Sequence, residues 1–190
     1  MPEKSEAARF KRLMSAERRK ELPPKLILGE IGLRPGQVFV DIGAGPGFFA
    51  LPASAIVGPG GRVIGLDVSP FMVRRLRDHA ARKKTANIRA RTIPATGADF
   101  PTGADFYFLA NVFHEIDDRI AYLRRIRGRM TARSRLVIID FLKKKTTHGP
   151  PLRDRIPLRT LRSLLGVSGF AVERVFRPNG EEYGVVARRI

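Results

Sequence analysis

Val38-Phe39-Val40-Asp41-Ile42-Gly43-Ala44-Gly45-Pro46-Gly47 is an apolar run that ends in an acid and passes into three glycines at alternate positions. A short run rich in β-branched residues reads as a buried parallel strand. The glycines read as a turn where a ligand can lie against bare backbone, with a helix starting behind it. A second run, Arg62-Val63-Ile64-Gly65-Leu66-Asp67, is a strand that also ends in an acid. Two strand-end carboxylates flanking a glycine turn make a site the size of a nucleoside.

Outward from this centre, strands and helices alternate. Ser5 to Glu21 reads as one or two short charged helices, ended by Pro23-Pro24. Lys25 to Ile31 is a short helix closed by Gly32. Strand Gln37–Ile42 leads to helix Gly47–Val57, and strand Val63–Asp67 to helix Pro70–Lys84. Ser69 is the N-cap of that helix, with proline at its first position. Strands Ile88–Ile93 and Asp105–Ala110 follow, then helix Asp117–Met130 and strand Arg135–Phe141. After the basic loop Lys143–Lys145 and a helix from Leu158 to Leu165, the pattern changes. Phe170–Phe176 and Glu182–Ala187 read as a hairpin joined by Arg177-Pro178-Asn179-Gly180, because Asn-Gly between two alternating runs favours a tight turn. The order is five strands with crossovers, one helix and a terminal antiparallel hairpin.

The helix behind the glycine turn brings a positive dipole end, which attracts a carboxylate or phosphate. Asp67, 20 residues after Gly47, stands where a carboxylate can take both hydroxyls of a ribose. Two cofactors fit such a crevice, a nicotinamide dinucleotide and S-adenosylmethionine. The dinucleotide fingerprint is G-x-G-x-x-G, whereas Gly43, Gly45 and Gly47 form G-x-G-x-G. Asp41 opposes a pyrophosphate and suits an ammonium or sulfonium. The terminal hairpin is foreign to the dinucleotide fold.

Val40 to Gly47, Gly65-Leu66-Asp67-Val68-Ser69 with Met72, and Ala110-Asn111-Val112-Phe113-His114-Glu115-Ile116 resemble the class I S-adenosylmethionine-dependent methyltransferases over about residues 21–190. The likeness is strongest to the small-molecule, type 11-like group with its quinone-biosynthesis and arsenite-type enzymes. The resemblance implies a three-layer α/β/α Rossmann-like fold: a sheet of about seven strands, mostly parallel, with the C-terminal hairpin antiparallel. One domain is expected over residues 1–190, with residues 1–32 as a helical segment, either a lid over the cofactor or a polar tail, and 37–190 as the core. S-adenosylmethionine is the implied cofactor and S-adenosylhomocysteine the product. Asp41 is expected near the methionine part, and Gly43, Ala44, Gly45 and Gly47 line the cofactor with backbone. Asp67 grips the ribose, and Val68 and Met72 pack near the adenine. Pro94-Ala95 stands where the family has an acid followed by a small residue, so the adenine-contacting acid is missing there, with Asp99 further along. Asn111 and Val112 are expected at the methionine end, beside the methyl to be transferred.

A base is needed only if the acceptor carries a proton that it does not lose unaided. His114 is the candidate, with Glu115 and Asp117 nearby; the alternative is that His114 caps or packs the following helix. Asp140 ends the fifth strand, facing the acceptor or holding a structural hydrogen bond. The amino-methylating signature Asn/Asp-Pro-Pro-aromatic is absent, since Asn111-Val112-Phe113-His114 lacks both prolines. O-, N- and C-methylation of a small molecule, a protein or RNA all stay open. A non-catalytic S-adenosylmethionine-binding module and an NAD-dependent dehydrogenase are the alternatives.

Composition bounds these readings. The 190 residues are 43% hydrophobic and 28% charged, which describes a globular chain. An apolar run of membrane-spanning length is absent, and no secretory signal is expected, so a cytoplasmic location is the default. Zero cysteines exclude disulfides, thiolate metal sites and a cysteine nucleophile. The three histidines, His79, His114 and His148, are scattered, which argues against a metal site. Lys and Arg number 36 against 18 acids, a net charge of +18. That surplus fits an anionic partner such as RNA or a nucleoprotein, or an arginine-rich lineage habit. Lys143–Lys145 is a phosphate site or a solvated loop.

Overall fold

The computed structural model describes residues 2–190, with side chains from Glu6 onward. Met1 of the expected 1–190 domain lies outside the described residues. The chain divides into two compact units, Met1–Ile93 and Pro94–Ile190. Seven strands form a mixed, mostly parallel sheet with flanking helices, as expected.

The first unit contains α1 (Pro2–Leu13), α2 (Ala16–Glu21), α3 (Pro24–Glu30), β1 (Val38–Ile42), α4 (Ala50–Val57), β2 (Arg62–Asp67), α5 (Pro70–Arg82) and β3 (Ile88–Thr92). Its strands run parallel in the order β3-β2-β1, with Val40 opposite Ile64 and Ile64 opposite Arg89. Phe39, Val40 and Ile42 are all buried, as a parallel strand covered on both faces requires. Ser69 caps α5 through its Oγ, which accepts from the Met72 amide at 3.2 Å. The helix behind the glycine turn begins at Ala50, three residues later than the periodicity suggests. Gly43, Gly45 and Gly47 have φ of 72°, 53° and 97°, which no right-handed helix accommodates. A Cβ on Gly47 would lie 2.5 Å from Leu76 Cδ1, so packing as well as φ requires glycine there.

The second unit contains β4 (Phe106–Ala110), α6 (Arg119–Arg129), β5 (Arg135–Phe141), α7 (Leu158–Val167), β6 (Phe170–Phe176) and β7 (Glu182–Arg189). Its strand order is β4-β5-β7-β6. β4 and β5 are parallel, and β7 runs antiparallel to both β5 and β6. A single 3-10 turn, Phe113–Glu115, separates β4 from α6, so the helix expected from Asp117 starts at Arg119. Asp118 caps it, accepting from the Ala121 amide at 3.0 Å. Buried Arg155 binds the carbonyls of Leu142, Lys144, His148 and Pro150, which ties down the basic loop.

Candidate functional site

In the first unit the glycine turn leaves β1 next to the end of β2. Most of its amides are used internally. Gly43 and Ala44 both donate to the Leu66 carbonyl, at 2.8 and 2.9 Å, and Gly47 donates to Ala44 at 3.0 Å. Gly45 donates to Asp67 Oδ2 at 2.7 Å. The turn therefore does not present a row of open amides to a ligand. The space beside Gly45 is the open one: among the described residues only Leu13 comes near, 3.5 Å from where a Cβ would be, whereas Gly47 is packed against Leu76 and Leu51. Asp67 Oδ1 accepts from the Ser69 amide at 2.9 Å, so one carboxylate ties the turn to the start of α5. A carboxylate offers about four lone-pair directions, and the Gly45 and Ser69 amides take two of them.

Asp41, at the end of β1, is 3% exposed, and its Oδ2 is buried without a hydrogen-bond partner among the described residues. Burial first, and then the charge of Asp67, push its pKa up from 3.8 to about 7. The Ala50 amide and the Arg18 guanidinium pull the other way but do not prevail. A buried acceptor lacking a donor beside a second carboxylate is a place for a cation.

Val68 is 57% exposed, while Met72 is buried with Val73 and Leu76 on the inner face of α5. The N-terminal helices lie over this region. Glu6 accepts from Ser69 Oγ, Phe10 meets the His79 ring at 5.7 Å, and the Arg18 guanidinium stacks on Phe48 at 4.2 Å. Neither Leu13 nor Arg18 carries a sequence signal of its own, because both reach the turn through tertiary packing.

In the second unit, Pro94 and Ala95 are exposed in a turn, with the Pro94 carbonyl accepting from Gly97. Asn111 and Val112 follow β4 directly and are half-buried. Asn111 has φ of 60°, and its amide nitrogen donates to Ile139 at 2.9 Å. His114 is held by Asp140 through two bonds: Nδ1 to Oδ1 at 2.7 Å, and the backbone amide to Oδ2 at 3.0 Å. Asp140 is fully buried and also accepts from the Phe141 amide at 2.8 Å. A carboxylate only accepts, so in the neutral ring Nδ1 carries the proton and Nε2 carries the lone pair. Burial lowers the His114 pKa, but the Asp140 hydrogen bond and charge, helped by Glu115 and Asp154, raise it above the ordinary value. Such a pair is suited to proton abstraction by Nε2.

Sequence reading missed Glu182. This buried acid opens β7 and accepts from Asn111 Nδ2 at 2.6 Å. An acid leading an apolar strand was the available signal. Among the described residues no cluster of three or more His, Asp or Glu is arranged to hold a metal, and no helix is long and apolar enough to cross a membrane.

Comparison with known proteins adds a family match and three likenesses. The profile of the methyltransferase domain family matches residues 33–157. A SAM-dependent methyltransferase from Aquifex aeolicus superposes with a TM-score of 0.90 at 27% identity, covering 96% of this chain and 98% of that one. The mitomycin 7-O-methyltransferase superposes with a TM-score of 0.68 at 26% identity, covering 81% of this chain and 49% of that one. Nocamycin O-methyltransferase of Saccharothrix syringae is 35% identical over 78 residues, 41% of this chain. The chain spans 28% of the length of that curated relative.

Proposed function

The chain belongs to the methyltransferase domain family, and from that membership we propose that it transfers a methyl group from S-adenosylmethionine to a hydroxyl of its acceptor. The fit of the cofactor rests on the first unit: the orphaned Asp41 Oδ2 suits the ammonium of its amino-acid part, the bare Gly45 admits the nucleoside, and Asp67 suits its ribose. When bound, the cofactor supplies a methyl carbon activated by a sulfonium. The protein's own work is to align, to exclude water and to take up a proton. His114 Nε2 receives the hydroxyl proton, and Asp140 fixes the ring and stabilises the imidazolium that results. Val68 and Met72 border the adenine in this reading, and α1 and α2 act as a lid over the glycine turn. The buried Asp41 oxygen beside that turn carries the cofactor reading; the His114–Asp140 pair carries the hydroxyl. Calorimetry with S-adenosylhomocysteine and NAD side by side tests the cofactor: heat with the first and none with the second is expected, and the reverse outcome would mean a dehydrogenase.

The pH dependence follows from Asp41. Its carboxyl is protonated below about pH 7, and a bound ammonium favours the ionised form. Affinity for S-adenosylhomocysteine is therefore expected to rise with pH up to about 7 and then level off, with a proton released on binding below that pH. Titrations in two buffers of different ionisation heat measure that proton. Asp41→Asn removes the dependence. In the unliganded protein the same group acts oppositely on stability. With the folded pKa above the unfolded one, its contribution is full below 3.8 and is lost as pH rises through about 7.

A second reading, an RNA acceptor, is favoured by the +18 charge and by the exposed Lys143, Lys144 and Lys145. RNA affinity falling steeply with salt would support it; a flat response would leave the charge to lineage habit.

A further inference from the structure

Asn179 lies in the turn between β6 and β7. Its Oδ1 accepts from two backbone amides, those of Glu181 at 2.8 Å and Glu182 at 2.9 Å. Backbone N–H groups only donate, so the Asn179 side chain has a single orientation and its Nδ2 must act as a donor. It donates to Glu182 Oε2 at 2.9 Å. Glu182 is 3% exposed, and its other oxygen accepts from Asn111 Nδ2 at 2.6 Å. Because a carboxylate accepts and does not donate, the orientation of Asn111 is fixed in turn, with Oδ1 directed away from Glu182. That oxygen is buried and has no hydrogen-bond partner among the described residues. The backbone beneath it is equally constrained: φ is 60°, in the left-handed region, and the amide is tied to Ile139.

A single hydrogen-bond polarity thus runs from the hairpin turn through Asn179 and Glu182 to Asn111, and it ends on an unsatisfied acceptor. Burying such an acceptor is costly unless something supplies a donor. We propose that Asn179 and Glu182 are positioning residues that aim Asn111 Oδ1 at an N–H or O–H donor of a bound ligand, the cofactor or the methyl acceptor. The inference rests on the methyltransferase reading for the identity of those ligands. It also gives the hairpin turn, which the sequence marks so clearly, a task beyond closing the sheet.

Glu182→Gln is the discriminating substitution. It preserves volume, and the contacts with Asn179 and Asn111 both re-form with an amide in place of the carboxylate, so a purely structural role predicts no change. Because Asn179 Nδ2 must still donate, the new amide oxygen faces Asn179 and the new amide nitrogen faces Asn111. The Asn111 amide then turns over and offers the ligand a donor instead of an acceptor. The dissociation constant of S-adenosylhomocysteine, measured by calorimetry, is expected to rise about tenfold or more if the donor belongs to the cofactor. If the donor belongs to the methyl acceptor, that constant stays put. Labelled methyl transfer into a cell extract on which the unaltered protein is active then falls about tenfold. Adding Asn111→Asp to Glu182→Gln returns an oxygen to the ligand side and restores the lost property. Asn111→Gly, which suits the left-handed backbone, loses the same property and serves if Glu182→Gln does not fold. Unchanged binding and unchanged transfer, or a loss that Asn111→Asp does not repair, would overturn the inference. Failure of the unaltered protein to bind S-adenosylhomocysteine would instead count against the methyltransferase reading.

Discussion

His114→Ala lowers the rate of methyl transfer by about 10²–10⁴-fold, the range a positioned general base contributes, and leaves the affinity for S-adenosylhomocysteine unchanged. The split follows from the proposed chemistry, in which the imidazole acts on the proton of the acceptor and the cofactor is held by other groups. The sign of the pH effect can be worked out. Asp140 raises the His114 pKa above its usual 6.5, and Nε2 abstracts a proton only when the ring is neutral. The rate is therefore low at acid pH and climbs as pH passes through that raised value. Asp140→Asn removes the charge that raised it, so the surviving activity has its acid limb at lower pH. A His114→Ala protein with the full rate would mean that the acceptor arrives already nucleophilic, as an amine or a carbanion does, and would remove the hydroxyl assignment. Full rate loss accompanied by lost cofactor affinity would point to damage to the fold instead.

The boundaries of the elements were legible where a local signal fixed them. Ser69-Pro70 announced the start of α5, and both the cap and the proline are where that signal puts them. Strand β5 and the first hairpin strand have the expected limits; the hairpin strand lies between Gly169 and Pro178-Asn179, and breakers of that kind leave little choice. The start of α4 was not legible from periodicity, because Phe48 and Phe49 continue the apolar pattern; the positive φ of Gly47 excludes that glycine, and the helix itself begins at Ala50 with Phe49 as its N-cap. The polar contacts were harder to read. His114 could be singled out by its position after β4. Its partner Asp140 is 26 residues away, and the partner of Asn111 is 71 residues away on an antiparallel strand. Spacing along a chain says nothing about pairs that strand register brings together. The glycine turn shows a subtler gap. Sequence gives the bare backbone but not the use of the amides, and four of them are occupied by Leu66, Ala44 and Asp67.

That occupancy bears on the second large effect, Asp67→Ala. The substitution is expected to weaken S-adenosylhomocysteine binding by about 1–3 kcal/mol, the cost of losing hydrogen bonds to a charged acceptor, which is an about fivefold to more than hundredfold change. Two causes contribute, and a smaller ligand separates them from any effect on the amino-acid part. 5′-Methylthioadenosine has the ribose but lacks the ammonium and carboxylate. If Asp67 holds the ribose, both ligands lose the same free energy above about pH 7, where Asp41 is ionised with or without its neighbour; Asp41→Asn, by contrast, weakens only S-adenosylhomocysteine. Losing Asp67 also releases the Gly45 and Ser69 amides, so the thermal midpoint falls alongside affinity. Asp67→Ala further removes a neighbouring negative charge that helps to push the Asp41 pKa up to about 7. The pH at which S-adenosylhomocysteine affinity levels off should then move down in that variant, and the released proton should disappear from titrations near neutrality. Unchanged affinity for both ligands would place the ribose elsewhere. An affinity loss with no movement of the pH dependence would uncouple the two carboxylates and leave Asp41 with another cause for its raised value.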